Sequence, residues 1–269
     1  MMLASKFNKN RLIQISKVFT FFLFLFLFFP AFAESDSYKK RYFHRINKLV
    51  EGNIDKDSRY DFISRYFLGV PYMANTLEGS KNITEKFIIN LEAMDCFTYL
   101  DYVHSLLDAR DYYDFIDNLR STRYKDAVVS FTNRNHFFYD WEQNIEEVEN
   151  VTKVLFPQES ISTRKYLNKK QNGSLYLEGI AVREVRIYFI EPAKLIENKI
   201  EKLKSGDYIG IYTKKEGLDV SHVGILIILE NKYYFRHASS ETGVNSVVDV
   251  DFLEYIKDKP GIIIYRNKL

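Results

Sequence analysis

The stretch SHVGILIILENKYYFRHAS, from Ser221 to Ser239, decides the fold class of this chain of 269 residues. Two runs rich in β-branched and aromatic residues flank the polar pair Glu230-Asn231. This pattern is typical of two strands joined by a tight turn. The stretch therefore predicts an antiparallel β-hairpin.

The length of the turn decides where two histidines lie. If the polar pair alone forms the turn, Leu229 faces Lys232, and His237 falls on the same face as His222 and diagonal to it. A three-residue turn that takes in Lys232 would put the two histidines on opposite faces. The sequence leaves both registers open.

Other strand-like runs stand on both sides of this hairpin. They are VREVRIYFI (182–190), YIGIYT (208–213), VVDV (247–250) and GIIIYR (261–266). The region from 111 to 179 is mixed, and its NKKQNGS run (168–174) predicts a surface loop or a flexible joint. No second domain is expected.

Residues 37–110 follow helical periodicity instead. Helices are expected before Gly52, from Asp57 or Ser58 to Gly69, and from about Asp95 onward. Helices first and strands afterwards predict an α+β fold, with N-terminal helices packed on a C-terminal antiparallel sheet.

The first 33 residues have the anatomy of a secretory signal peptide. Four basic residues precede the apolar run VFTFFLFLFLFF (18–29), and Ala31-Phe32-Ala33 offers a small-x-small cleavage site. Pro30 ends the apolar run well short of the roughly 20 residues that a membrane anchor needs. We therefore expect cleavage after Ala33, one domain over residues 34–269, no stable membrane anchor, and a periplasmic or extracellular location.

The charge of the chain argues against nucleic acid as a partner. The whole chain has 38 basic and 36 acidic residues. Four of the basic residues and none of the acidic ones lie in the first 33 positions, so residues 34–269 carry 34 − 36 = −2. No clustered basic face of the kind that binds nucleic acid remains.

A single cysteine, Cys96, stands in LEAMDCFTYLDYV (91–103). With no second cysteine there is no internal disulfide, so the thiol is either buried structure or a reactive group. Asp95 is a candidate helix N-cap, which puts Cys96 in the first turn. There the helix dipole favours the thiolate and is expected to lower the thiol pKa. The alternative is a buried structural cysteine.

A cysteine nucleophile needs a base, and the chain has five histidines. His104 lies about 12 Å along the helix from Cys96, too far for a hydrogen bond. If the hairpin brings His222 and His237 together, His222 can take the thiol proton and His237 can fix its tautomer. The alternative is a buried pair that only forms hydrogen bonds. The chain order, cysteine on a helix and then histidines on a sheet, is the papain-like one.

Several segments resemble known cell-wall enzymes. Asp95-Cys96, Ser221 to Ile225 and His237-Ala238-Ser239 resemble the NlpC-type peptidases of bacterial cell walls, as do Gly69-Val70-Pro71-Tyr72 and the turn Leu203 to Asp207. FLGVPYMANTLEG (67–79), NLEAMDCFTYLDYV (90–103), NRNHFFYDW (133–141) and GLDVSHVGI (217–225) resemble, in the same order, an exported family labelled N-acetylmuramoyl-L-alanine amidase-like.

This resemblance implies a compact papain-like fold and hydrolysis of the amide between the muramic acid lactyl group and L-alanine. The substrate would be peptidoglycan or soluble muropeptides, with no cofactor or metal. By position, Cys96 matches the nucleophile, His222 the base and His237 the orienting residue. Tyr72 matches a tyrosine that lies near the thiol and helps to bind the oxyanion.

Two positions depart from the family pattern. Asp101 stands where a glutamate is expected, and Phe97 follows the cysteine where a small polar residue is usual. Neither removes the catalytic set, and both bear on substrate specificity.

Candidate substrate-binding residues lie in NRNHFFYDW: Arg134, His136 and Trp141. An arginine can hold a stem-peptide carboxylate bidentately, and a tryptophan can pack against a sugar face. The alternative is that Trp141 is a core residue and that Arg134 pairs with Asp140.

Three other functions compete with the amidase. An endopeptidase that cuts between D-glutamate and the diamino acid of the stem would use the same three residues. A metal hydrolase would use Cys96, His222, His237 and Asp207 as ligands, although no short-spaced histidine pair supports it. A non-catalytic cell-wall-binding protein would not need the thiol.

Overall fold

The computed structural model describes residues 41–52, 54–198 and 200–268. Ile46–Leu269 form one compact unit. The expected signal peptide and its cleavage site lie outside the described residues. Within the described ranges, no helix is long and apolar enough to cross a membrane.

Most of the helices precede the sheet. Residues 41–50 form α1. The later helices are α2 (Lys56–Arg65), α3 (Cys96–Leu107), α4 (Tyr112–Arg123), α5 (Phe138–Asn144), α6 (Thr152–Leu155), α7 (Pro192–Asn198) and α8 (Phe252–Ile256), with 3-10 turns at Lys125–Ala127, Phe131–Asn133 and Ile200–Lys202.

The second helix begins earlier than the sequence predicted. Asp55, and not Asp57 or Ser58, is its N-cap, because the Asp55 carboxylate accepts the backbone N–H of Ser58 at 3.0 Å. Irregular turns replace the helix after Arg65, and Gly69 ends them with a φ of 81°.

The strands are β1 (Val148–Asn150), β2 (Ile161–Leu167), β3 (Arg183–Phe189), β4 (Tyr208–Tyr212), β5 (Val220–Leu229), β6 (Lys232–Ala238), β7 (Val247–Asp251) and β8 (Ile262–Asn267). Six of them form an antiparallel sheet in the order β1-β8-β4-β5-β6-β7. β2 and β3 form a separate hairpin, and their connection holds the predicted NKKQNGS loop. The predicted α+β class is confirmed.

The two-residue turn is the register that the structure has. Leu229 lies opposite Lys232, and the turn residues Glu230 and Asn231 have φ values of 50° and 62°. Positive φ at both central positions is the signature of a type I′ turn, whose twist matches that of the flanking strands. The two histidines therefore lie on the same face of the hairpin.

The opposite face of β6 is held by a buried arginine. The guanidinium of Arg236, which is 1% exposed, pairs with both carboxylate oxygens of Asp249 at 2.6 and 2.7 Å. It also reaches Asp61 at 3.1 Å and the Ser64 hydroxyl at 2.8 Å, both on α2. One strand thus presents His237 on one face and is tied to α2 through the other.

Candidate active site

Cys96 is the first residue of α3, as the sequence predicted. The Asp95 carboxylate accepts the backbone N–H groups of Phe97 and Thr98 at 3.0 and 2.8 Å. The Thr98 hydroxyl accepts the Asp95 N–H at 3.0 Å, which completes a capping box. α3 packs against β5 and β6, and its residues from Thr98 onward are buried. The half-buried thiol is thus fixed between the helix start and the sheet.

The pKa of Cys96 departs from the expectation. Burial, and next the charge of Asp95, raise it to about 12, although backbone groups of Val223, Cys96 and Phe97 act in the opposite direction. Desolvation of a thiolate therefore outweighs the helix dipole that favours it. The expected lowering of the thiol pKa is wrong for this site, because the dipole argument left out burial and the carboxylate of the cap.

His222 and His237 meet across the β5–β6 hairpin. The Nε2 atom of His222 lies 2.6 Å from Nδ1 of His237, with the rings nearly perpendicular. Burial lowers the pKa of His222 to about 3, and the charges of His237 and Lys259 add to the effect. Burial likewise lowers the pKa of His237 to about 4. Both imidazoles are therefore neutral near pH 7, and Nδ1 of His222 stays free of the contact between them.

An aromatic wall surrounds the two imidazoles. The Tyr255 ring lies 5.1 Å from the His237 ring and 6.4 Å from the His222 ring, and Phe235 stacks on His237 at 4.8 Å. The Nε2 atom of His237 is buried and has no hydrogen-bond partner within the described part of the chain. The packing of Tyr255 and Phe235 orients His237 in place of a further hydrogen bond.

Tyr72 lies beside the thiol. Its backbone bridges to Met94, two residues before Cys96, and the Met73 N–H donates to the Met94 carbonyl at 3.0 Å. Burial raises the pKa of Tyr72, and Cys96 and Asp95 add to the shift. The phenol is thus protonated at neutral pH and can donate a hydrogen bond. The structure brings Tyr72 next to Cys96, as the resemblance implied.

Arg134 does not pair with Asp140. Its guanidinium donates from Nε to the Glu85 carboxylate at 2.9 Å, with a second contact from Nη2, and Glu85 is buried. Asp140 instead accepts the N–H groups at the start of α5 and pairs with Arg183 at 2.6 Å. The alternative pairing was therefore wrong, and the Arg134 fork is already occupied by a carboxylate of this chain.

Trp141 is fully buried and packs edge-on against Phe97 and Tyr208, at 6.1 and 5.3 Å between ring centroids. Its faces are not available to a sugar, so the expected sugar contact is contradicted and Trp141 is a core residue. His136 donates from Nε2 to the Phe131 carbonyl, 2.7 Å away, and lines a cavity of about 370 Å³ with Arg134. A substrate role for those two residues stays a prediction.

The two positions that depart from the family pattern lie behind the thiol. Asp101 is buried and pairs with Arg123 at 2.8 Å, which joins α3 to α4. Phe97 packs on Trp141.

The metal alternative needs Asp207 as a ligand. The Asp207 carboxylate is instead engaged by the guanidinium of Arg266 at 2.7 and 2.8 Å. Among the described residues, no three His, Cys, Asp or Glu side chains are grouped as a metal site.

Two residues beside the histidine pair were not predicted from the sequence: Tyr255 on α8 and Lys259 just after it. Cys96 contributes to the raised pKa of Tyr255, and the charge of Lys259 contributes to the lowered pKa of both histidines. The segment DFLEYIKDKP (251–260) has charged residues throughout. Nothing in its pattern separates Lys259 from Lys257, so no sequence signal could have selected it.

The fold and the site define an α+β protein in which a thiol at a helix start lies on a helix that packs against the hairpin carrying a pair of neutral imidazoles. A family model for N-acetylmuramoyl-L-alanine amidase-like proteins matches residues 62–262. The chain belongs to this family. None of the curated proteins matches the chain significantly.

Solved structures share the fold. An N-acetylmuramoyl-L-alanine amidase from Bacteroides uniformis is 28% identical, with a TM-score of 0.66 over 80% of this chain and 99% of that one. A protein described as a candidate xylanase from Bacteroides fragilis is 27% identical, with a TM-score of 0.62 over 76% and 98%. A Legionella pneumophila protein shares the fold at 23% identity, with a TM-score of 0.71 over 88% and 96%.

Proposed function

We propose that this protein is a cysteine-dependent amidase that cleaves the bond between N-acetylmuramic acid and L-alanine in muropeptides. The observation that carries the proposal is the 2.6 Å contact between His222 and His237, on the hairpin against which the Cys96 helix packs. The family and the amidase from Bacteroides uniformis support an amide bond of peptidoglycan as the target.

The tautomers of the two histidines follow from the direction of proton transfer. A base that accepts the thiol proton at Nδ1 of His222 must carry its own hydrogen on Nε2, which then donates to Nδ1 of His237. His237 in turn carries its hydrogen on Nε2. His237 thus fixes the tautomer of His222 without supplying a negative charge.

In the first chemical step, the sulfur of Cys96 attacks the amide carbonyl carbon while its proton moves to His222. The protonated His222 then gives that proton to the leaving amine of L-alanine, and the C–N bond breaks to leave a thioester on Cys96. Water, deprotonated by His222, hydrolyses the thioester and restores the thiol. The raised pKa of Cys96 makes His222 necessary, since little thiolate exists at neutral pH without a base.

The oxyanion formed in each step needs donors. The backbone N–H groups of Phe97 and Thr98 are engaged by Asp95, so the N–H of Cys96 and the protonated phenol of Tyr72 would supply them. The papain-like, NlpC-type assignment of the fold belongs to this proposal, as does export by the signal peptide of residues 1–33.

Two other activities compete with the amidase as explanations of this site. A glycosidase, the class in which the Bacteroides fragilis protein is described, commonly uses two carboxylates on either side of the bond. Here the reactive groups are a thiol and two imidazoles, with Asp95 committed to the helix cap. A wall endopeptidase would use the same three residues and differ only in the bond that it cuts.

The test incubates the purified protein and its Cys96→Ala variant with defined muropeptides and identifies the products by mass spectrometry. An amidase releases a peptide that begins with L-alanine, whereas an endopeptidase leaves L-alanyl-D-glutamate on the sugar. We expect the first product and a rate at least about a thousandfold lower for Cys96→Ala, with no effect of a chelator. Equal rates for both proteins would establish that the thiol is not the nucleophile.

A further inference from the structure

Lys259 lies beside the candidate catalytic groups without being one of them. Its ammonium is 4.8 Å from the centroid of the Tyr255 ring. That ring is in turn 5.1 Å from the His237 ring and 6.4 Å from the His222 ring. A short chain of contacts therefore joins a positive charge to the histidine pair.

The charge of Lys259 also acts on the two histidines. It lowers the pKa of both His222 and His237, behind the larger effect of burial. Tyr255, whose pKa burial raises to about 12, also senses Glu241 and Cys96. Lysine, phenol, thiol and imidazoles are therefore close enough to act on one bound molecule.

Lys259 has no ion-pair partner among the residues that the structure describes. Lys257, two positions earlier, contrasts with it because its ammonium pairs with Glu254. The backbone N–H of Lys259 donates to the Ile256 carbonyl at 2.8 Å, which anchors the chain at the end of α8. The half-buried Lys259 side chain thus extends from a fixed backbone position, and its charge is unpaired within the described part of the chain.

The peptide part of a muropeptide carries carboxylates, and the arginine expected to bind one is not free. Arg134 is held by Glu85, and removing it from that buried carboxylate would be costly. Lys259, which has no ion-pair partner among the described residues, can bind such a carboxylate without that cost. An ammonium held over an aromatic ring is partly desolvated, which strengthens its attraction for a carboxylate.

We propose that Lys259 binds a carboxylate of the peptide part of the substrate and, with Tyr255 beneath it, selects acidic peptides over their amidated forms. This inference rests on the proposed function, because it takes the scissile amide to lie at Cys96. Lys259 is a specificity-determining residue in this scheme and takes no part in bond breaking.

The test compares Lys259→Gln, Lys259→Arg and the matched control Lys257→Gln on two forms of one synthetic muropeptide, with free carboxylates or with carboxamides. We expect Lys259→Gln to raise KM for the acidic form about tenfold or more, with kcat nearly unchanged, and to leave the amidated form unaffected. Lys259→Arg should recover most of the loss, and Lys257→Gln should match the unmodified protein. Equal losses on both substrate forms, or no loss on either, would overturn the inference.

Binding to Cys96→Ala separates this inference from the proposed function. Calorimetry with Cys96→Ala and Cys96→Ala/Lys259→Gln measures the affinity for the acidic peptide product without any cleavage. If the affinity depends on Lys259 but the unmodified protein cleaves no muropeptide, the amidase is refuted and carboxylate binding by Lys259 is kept. Cleavage by the unmodified protein together with Lys259-independent affinity would keep the amidase and refute the inference.

Discussion

At the scale of single residues, the environment of Cys96 decides how the thiol can act. A helix N-terminus by itself favours the thiolate. Here burial and the Asp95 carboxylate prevail and raise the thiol pKa to about 12. His222 and His237 are kept neutral by the same burial. In the proposed mechanism the resting state is therefore a thiol with a neutral base, and the proton moves only when a substrate is attacked.

This resting state predicts a slow reaction of Cys96 with iodoacetamide. Because only the thiolate is alkylated, the rate at pH 7 should be at least about tenfold below that of free cysteine and should rise with pH up to the limit of folding. Asp95→Asn should speed the reaction, since it removes a charge that raises the thiol pKa while keeping a capping acceptor. The rate can be followed by intact-mass spectrometry. Fast alkylation that is constant from pH 5 to pH 8 would instead indicate a preformed thiolate.

The sequence identified some residues of the site and missed others for physical reasons. Cys96, Asp95 and His222 have local signals, such as a cap pattern or a histidine in an apolar strand. The sugar contact predicted for Trp141 was wrong because a core tryptophan and a sugar-binding tryptophan give the same pattern in a sequence. Lys259 could not be selected from the sequence, because its position beside Tyr255 and the histidine pair depends only on where α8 ends.

At the scale of elements, the β5–β6 hairpin and the start of α3 assemble the site. The hairpin register was the open question in the sequence, since a shift of one residue moves every side chain to the other face. Asn231, which tolerates positive φ, is the feature that favours the two-residue turn. β1 pairs with β8 over only three residues, and so short a strand leaves no periodicity to detect.

The cap of α3 should matter for activity in a way that other caps do not. Asp95 and Asp111 cap α3 and α4 in the same manner, each accepting two backbone N–H groups. Asp95→Ala and Asp111→Ala should each cost about 1 kcal/mol in the free energy of unfolding, as measured by urea denaturation. Only Asp95→Ala should lower kcat on muropeptides, because only α3 carries the thiol. Similar kcat values for the two variants would show that the cap does not position Cys96.

At the scale of the whole molecule, the sheet joins charged groups that are far apart in sequence. Arg236 links β6 to β7 and α2, and Arg266 links β8 to Asp207 at the start of β4. The sequence predicted the order of helices and strands but none of these ion pairs, because each joins residues whose proximity depends on the completed sheet. Burial within this fold also keeps four histidines neutral near pH 7.

Those histidines predict a loss of stability in mild acid. Burial lowers the pKa of His104, His136 and His237 to about 4 and that of His222 to about 3, from the ordinary 6.5. Between these values the unfolded chain binds protons that the folded chain does not, so stability falls as the pH drops below about 7. Asp219, whose pKa burial raises to about 6, acts in the opposite direction, as do Asp101, Asp140, Glu142 and Asp207, whose pKa values burial also raises.

From pH 7 to pH 5.5 we expect the four histidines, partly offset by these carboxyls, to remove about 3 kcal/mol from the free energy of unfolding. For a chain of this size that corresponds to a fall in Tm of about 6–12 °C, measurable by circular dichroism in buffers of equal ionic strength. His104→Gln removes one of the four titrating groups while retaining a partner for the Tyr208 hydroxyl, 2.7 Å from the native ring. Its Tm should therefore fall less steeply with pH than that of the unmodified protein, whatever its Tm at pH 7. A Tm that does not change over this range would mean that the folded and unfolded chains take up protons equally, which would contradict the lowered pKa values of the buried histidines.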